Sequence, residues 1–95
     1  MDEDTFLTQA ADELYQLQTK VDEVRVQMNL AGKDLQTKLS PLLKALDNEL
    51  LQAERKVKDI KEATENASLE LQQSLRRSIN SAKELYEKAI QHLPK

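Results

Sequence analysis

Apolar residues recur at helical spacing along almost the whole chain. In the first third an apolar residue returns every seven positions, at Leu7, Leu14, Val21 and Met28. A companion follows each of these three positions later, at Ala10, Leu17, Val24 and Ala31. This heptad pattern predicts an amphipathic helix with a hydrophobic seam. When Phe6, Ala11 and Tyr15 are included, the apolar stripe is about 160° wide, which predicts contact with two neighbouring helices.

A second stripe begins at Leu42 and continues to Leu93. Its members follow one another at spacings of three or four: Leu42, Leu46, Leu50, Ala53, Val57, Ile60, Thr64, Ala67, Leu71, Leu75, Ile79, Ala82, Tyr86, Ala89 and Leu93. On a straight helix they stay within a sector of about 100°. No glycine or proline interrupts residues 42–93. The pattern therefore predicts either one very long helix or two helices whose stripes happen to stay in phase.

The first turn is predicted from the single glycine and the first of two prolines. Ser40 and Pro41 are typical of a helix N-cap followed by proline at the first helical position. Proline also disfavours helical dihedral angles at the preceding residue, which predicts a break or kink at 39–41. Gly32 either ends the first helix in the left-handed conformation or marks a weak point in it. We therefore expect the second helix to open at Pro41.

A second turn is predicted within "EATENASLE", residues 62–70, which is poor in helix-forming residues. Asn66 suits a left-handed C-terminal position, and Ser68 suits the N-cap of a third helix. The predicted fold is an all-α, three-helix up-down-up antiparallel bundle forming a single domain over residues 1–95. Its helices cover about 4–31, 41–65 and 69–93, with a connector at 32–40. The alternative is a long helical hairpin or coiled coil that dimerises, because the stripe crosses 62–70 in phase.

Composition and charge support this fold class and narrow the partners. Charged residues make up 33% of the chain, aromatic residues only 3%, and there is one glycine, which argues against a strand-rich fold. Residues 1–31 carry seven acidic and two basic side chains, whereas residues 67–95 carry three acidic and five basic ones. This asymmetry predicts attraction between the two ends, within one molecule or between copies. It argues against nucleic acid, which requires a broad cationic face.

The sequence contains no recognisable constellation for catalysis. There is no cysteine, and His92 is the only histidine, placed where a cation favours the helix dipole. The acidic cluster at residues 2–4 is typical of a helix N-terminus, and no calcium loop is present. We therefore predict no enzyme, no cofactor, no metal and no small-molecule substrate. The acidic N-terminus is unlike a signal peptide and no apolar run spans a bilayer, so the expected location is cytoplasmic.

Candidate partner-binding residues are those that stand off the main stripe. Leu43, Leu51 and Leu69 do so, and Leu51 and Leu69 lie near the side of their helices opposite the predicted core. Arg76 and Arg77 form the more open of two basic clusters, which suits an acidic partner or a phosphate. The sequence thus predicts that Leu51, Leu69, Arg76 and Arg77 are candidate partner-binding residues.

The function predicted from these features is a non-enzymatic structural or protein-interaction module that binds a protein partner or self-associates, for example as a dimer. The alternative is reversible binding to a lipid or granule surface. The segment "LQTKLSPLLKAL", residues 35–46, resembles the proline-punctuated amphipathic segments of exchangeable apolipoproteins over about a dozen residues. The chain lacks that family's regular proline repeat and its tryptophans, and interfacial helices usually carry a basic polar face with bulky aromatics.

Overall fold

Three long helices form the molecule in the computed structural model, which describes the backbone of residues 3–63 and 65–93 and the side chains of residues 5–63 and 68–93. Helix α1 is Glu3–Leu30, α2 is Lys33–Glu62 and α3 is Glu65–Gln91. No strand occurs within these described residues. The predicted all-α fold is confirmed, since all three helices pack against one another.

Polar contacts between α1 and α2 show that these helices are antiparallel. The side-chain amide of Gln18 donates a hydrogen bond to the carboxylate of Glu54. Seven residues further along α1, Arg25 bonds to Asp47, which lies seven residues earlier in α2. Positions that advance along one helix therefore meet positions that retreat along the other.

Contacts between α1 and α3 show that these two helices are parallel. The guanidinium carbon of Arg76 lies 5.6 Å from the ring centre of Phe6. The ammonium group of Lys20 lies 5.9 Å from the ring centre of Tyr86. Both partners advance along their helices together, so the topology is up-down-up, as the sequence predicted.

The hydrophobic core runs along the inner faces of all three helices. The buried apolar residues are Leu7, Ala10, Leu14, Leu17, Val21, Val24, Leu39, Leu43, Leu46, Leu50, Ala53, Ile60, Leu75, Ile79, Ala82 and Ala89. The heptad seam of α1 is thus a core seam, with Met28 packed against it and only partly buried. Thr64 and Ala67 of the predicted stripe lie outside the described side chains.

The first turn is much shorter than the predicted connector at 32–40. Helix α1 ends at Leu30, and the Ala31 amide donates to the carbonyl of Met28 at 3.1 Å. Gly32 is the N-cap of α2 with extended dihedral angles, φ −68° and ψ 165°, and its carbonyl accepts from the Gln36 amide. The left-handed conformation considered for Gly32 is therefore wrong, because this turn needs only an extended residue between two helices.

The prediction that α2 opens at Pro41 is also wrong. The helix begins at Lys33 and continues through Pro41 without interruption. Proline inside a helix costs about 3 kcal/mol relative to alanine. Burying Leu39 completely contributes about 1.5–3 kcal/mol, and Leu35 adds a partly buried side chain against the core. These two leucines lie in the segment assigned to the connector, and their burial offsets the cost of the proline.

The second turn lies at the start of the predicted 62–70 interval. Helix α2 ends at Glu62, and the amide of Ala63 donates to the carbonyl of Ile60 at 3.2 Å. Helix α3 already begins at Glu65, so Asn66 lies within it, and no described residue has a positive φ. Ser68 is not an N-cap but a buried helical residue, whose hydroxyl accepts a hydrogen bond from Gln72 at 3.1 Å. The apolar stripe keeps its phase across this turn. For this reason the sequence pattern did not distinguish two helices from one long helix.

Candidate interaction surface

The four predicted partner-binding residues do not form one site. Leu51 is 46% exposed and lies on α2 beside α1, whereas Leu69 is 62% exposed and lies near the start of α3. Arg77 is exposed on α3 and lines a shallow depression with Glu70. Arg76 faces α1 and is partly buried. The set therefore divides among three different faces of the bundle.

The face that carries Leu51 is a groove between α1 and α2, which we call the α1–α2 groove. Its α1 side is lined by Ala11, Leu14, Tyr15, Gln18, Val21 and Asp22. Its α2 side is lined by Asp47, Leu50, Leu51, Glu54 and Val57. Both rows follow the three-and-four spacing of a helix face. The groove is therefore a surface shaped by two helical ridges.

Apolar side chains form the floor and part of the rim of this groove. Leu14, Val21 and Leu50 are almost completely buried and belong to the core. Above them, Tyr15 is 69% exposed, and Leu51 is the exposed leucine on the facing helix. An aromatic ring and a leucine that stay in water above a packed apolar floor are typical of a protein contact surface.

The charged side chains that line the α1–α2 groove are all acidic. They are Asp22, Asp47 and Glu54. Glu54 accepts a hydrogen bond from Gln18 across the groove, and Asp47 forms an ion pair of 2.7 Å with Arg25 at one end. Asp22 is exposed to solvent. The lining of the groove therefore combines an apolar floor with three carboxylates, of which Asp47 is paired with Arg25, while exposed Arg55 and Lys58 follow Leu51 on α2.

The groove between α1 and α3 is crossed by charged side chains. Glu13 bonds to Arg76 at 2.9 Å and lies 3.6 Å from the ammonium group of Lys83. Lys20 covers Tyr86, and Arg76 covers Phe6. The attraction predicted between the acidic first third and the basic last third is thus realised within one molecule. Arg76 therefore belongs to the contact between α1 and α3.

The groove between α2 and α3 is polar. Lys56 donates a hydrogen bond of 2.6 Å to the hydroxyl of Ser78, which is buried. The remaining lining residues are Glu49, Gln52, Ser74, Arg77 and Ser81. Helices α2 and α3 contact each other more extensively than either contacts α1. This face offers hydrogen-bonding groups but no apolar floor.

The histidine and carboxylate side chains of the described residues are not grouped for metal binding. No group of three or more histidine, cysteine, aspartate or glutamate side chains there is arranged to hold a metal ion. His92 is exposed just beyond the end of α3. Within the same described residues, none of the helices combines the length and the apolar character needed to cross a membrane.

Sequence reasoning missed Tyr15 and Gln18 as surface residues of this groove. The signal was present, because Ala11 and Tyr15 widened the apolar stripe of α1 beyond the width of its heptad seam. We predicted that this width served two neighbouring helices. In the structure Ala11 and Tyr15 are exposed, and neither α2 nor α3 covers Tyr15.

Comparison with known proteins adds no relative: family models, curated proteins and solved structures all gave no match to this chain.

Proposed function

We propose that this chain is a non-enzymatic helical-bundle module that binds another protein through the α1–α2 groove. The observation that supports the proposal most directly is the pair of exposed apolar side chains, Tyr15 and Leu51, above a floor that is already packed. A rigid floor keeps the surface in its binding shape, so that little conformational entropy is lost on association. Tyrosine is also enriched among residues that dominate binding energy.

Self-association through the same groove, in which two copies cover Tyr15 and Leu51 for each other, is less favoured because it brings the acidic side chains of both grooves together. This remains within the proposed class of function, since the chain then acts as an oligomerising structural module. The cytoplasmic location predicted from the sequence stays a prediction.

Reversible lipid binding is the second candidate, and the bundle makes it more costly. In the segment that resembles exchangeable apolipoproteins, Leu39, Leu43 and Leu46 are buried in the core. Those leucines reach a lipid surface only if the bundle opens. Opening a domain of this size costs about 5 kcal/mol or more, which a lipid surface would have to offset.

The proposal is tested with a matched pair of variants on α2. Leu51→Glu places a charge on the apolar rim of the groove, and Gln52→Glu adds the same charge at the exposed neighbouring residue on the α2–α3 side. Proteins retained from the source organism by the native chain are identified, purified and titrated against all three proteins. We expect a partner whose Kd rises at least tenfold with Leu51→Glu and less than twofold with Gln52→Glu.

The same three proteins are mixed with zwitterionic and anionic vesicles and sedimented. Two results would overturn the proposal. One is that every retained protein binds the Leu51→Glu variant as well as the native chain. The other is that the chain sediments with the vesicles, while no protein partner distinguishes Leu51→Glu from Gln52→Glu.

A further inference from the structure

We infer that the occupant of the α1–α2 groove is a basic amphipathic helix from another protein, about three turns long. This inference rests on the proposed function and adds the conformation and charge of the partner. The combination of an apolar floor, two helical ridges and an all-acidic set of charged lining residues carries it.

The shape of the groove favours a helix over an extended peptide. An extended peptide that binds by strand addition needs backbone partners for its own amide and carbonyl groups. Both walls of the groove are helices whose backbone groups are already bonded within each helix, so they offer none. A helix satisfies its own backbone, and its side chains at spacings of three and four fit between the ridges of α1 and α2.

The length of the groove sets the length of the occupant. Its two depressions meet at the hydrogen-bonded pair of Gln18 and Glu54, and together they extend from Ala11 to Asp22 on α1 and from Asp47 to Val57 on α2. At 1.5 Å per residue these rows are about 15–17 Å long, which corresponds to three helical turns. Such a helix presents three or four apolar anchors to Tyr15, Leu51 and the floor between them.

The charge of the groove selects a basic occupant. Asp22 and Glu54 lie on opposite walls of the lining, and Asp47 is already paired with Arg25. Lysine or arginine side chains flanking the anchors of the partner helix would lie against the first two carboxylates. Acidic flanks would meet like charge in a partly desolvated place, which costs binding energy and slows association.

A second copy of this chain matches the groove less well. Apposing two α1–α2 grooves brings their acidic rims together. On α3, Arg77 lines a depression with Glu70, and the exposed Leu69 lies about 80° around the helix from Arg77. A single leucine does not fill a groove of three turns. The partner is therefore expected to be a different protein.

The test uses three synthetic, fluorescently labelled helical peptides and the full chain. The first carries leucines at positions i, i+4, i+7 and i+11 with flanking lysines. The second has the same leucines with glutamate flanks, and the third has the composition of the first in an order that breaks the helical spacing. We expect the first peptide to bind at low ionic strength, and the other two to bind at least tenfold more weakly.

Variants of the chain then locate the bound peptide. Asp22→Asn combined with Glu54→Gln removes the two groove carboxylates that form no ion pair within the groove, leaving Asp47 with Arg25, and is expected to weaken binding of the lysine-flanked peptide at least fivefold. The matched control, Asp59→Asn combined with Glu62→Gln, removes two exposed carboxylates from α2 outside the groove and should change its affinity less than twofold. Circular dichroism checks that both variants remain folded.

Three outcomes would overturn the inference. Equal binding of the lysine-flanked and glutamate-flanked peptides would show that charge does not select the occupant. Equal loss in the groove variant and its control would place the peptide elsewhere. A dimer that Leu51→Glu dissociates would show that a second copy fills the groove. The proposed function survives any of these when the partner titrations still distinguish Leu51→Glu from Gln52→Glu, so the two failures are separable.

Discussion

At the scale of single residues, Leu43 and Leu51 illustrate how position within a bundle decides the role of a side chain. Both are leucines on α2, and both were placed off the main apolar stripe in the sequence. Leu43 is 3% exposed and belongs to the core, whereas Leu51 is 46% exposed at the rim of the α1–α2 groove. The interpretation of Leu43 as an off-stripe residue is therefore wrong. At 100° per residue, Leu43 lies only about 20° from Leu50 and about 40° from Leu39, inside the buried sector of α2.

The two leucines make a matched stability experiment. We expect Leu43→Ala to lower the free energy of unfolding by about 2–5 kcal/mol, because it leaves a cavity in the core. Leu51→Ala removes a half-exposed side chain and should cost about 1 kcal/mol or less. Urea unfolding followed by circular dichroism measures both values. Similar losses for the two variants would show that Leu51 is a core residue.

The neighbouring residues Arg76 and Arg77 also differ in their contacts because they lie on different sides of α3. They were predicted together as one basic cluster. Arg76 faces α1, where it bonds to Glu13 and covers Phe6, while Arg77 is exposed on α3. Neighbouring helix positions are separated by 100°, and only the placement of α1 determines which of the two meets a carboxylate.

At the scale of elements, Gly32 and Pro41 do not have the roles that glycine and proline usually have at the ends of helices. Gly32 is an extended N-cap with open space where a Cβ atom would stand, so the turn does not depend on glycine-specific dihedral angles. Pro41 lies in the ninth position of α2, with its ring on an exposed part of the helix. The helix tolerates it because Leu39, two residues earlier, is fully buried.

Replacement of this proline tests the position of the helix start. Pro41→Ala restores a backbone donor inside α2 and removes a steric conflict with the preceding turn. We expect the free energy of unfolding to rise by about 1–3 kcal/mol, and Tm to rise by about 4–8 °C for each kcal/mol. Differential scanning calorimetry measures the change. An unchanged or lower Tm would indicate that α2 begins at Pro41 after all, where proline is well tolerated.

At the scale of the whole molecule, the three helices are joined by two short turns and lie side by side as a rod. The Cα atoms extend over 49 × 18 × 16 Å, so the long dimension is about the length of α2 alone. Charged side chains line the groove between α1 and α3, and polar side chains line the groove between α2 and α3. The remaining groove carries the exposed apolar pair, and for this reason we place the binding function there.

Solution scattering distinguishes this rod from the long hairpin. We expect a radius of gyration close to the 15.1 Å of the Cα atoms and a sedimentation mass near 10.9 kDa. A continuous helix over residues 42–93 would instead be about 78 Å long and would pair in a dimer. A maximum dimension near that length would contradict the three-helix bundle.

The sequence by itself determined the helical class, the seam of α1 and most of the core, because a side chain's face on a helix follows from local spacing alone. The acidic first third and the basic last third likewise predicted attraction between the two ends, but not the particular pairing of Glu13 with Arg76 and Lys83. The tertiary structure decided the turn positions, the burial of Leu39 and Leu43, and the exposure of Tyr15 beside Leu51. These depend on which neighbouring helix covers each face. A three-and-four spacing states that a face is apolar, but it does not state whether this chain or a partner covers it.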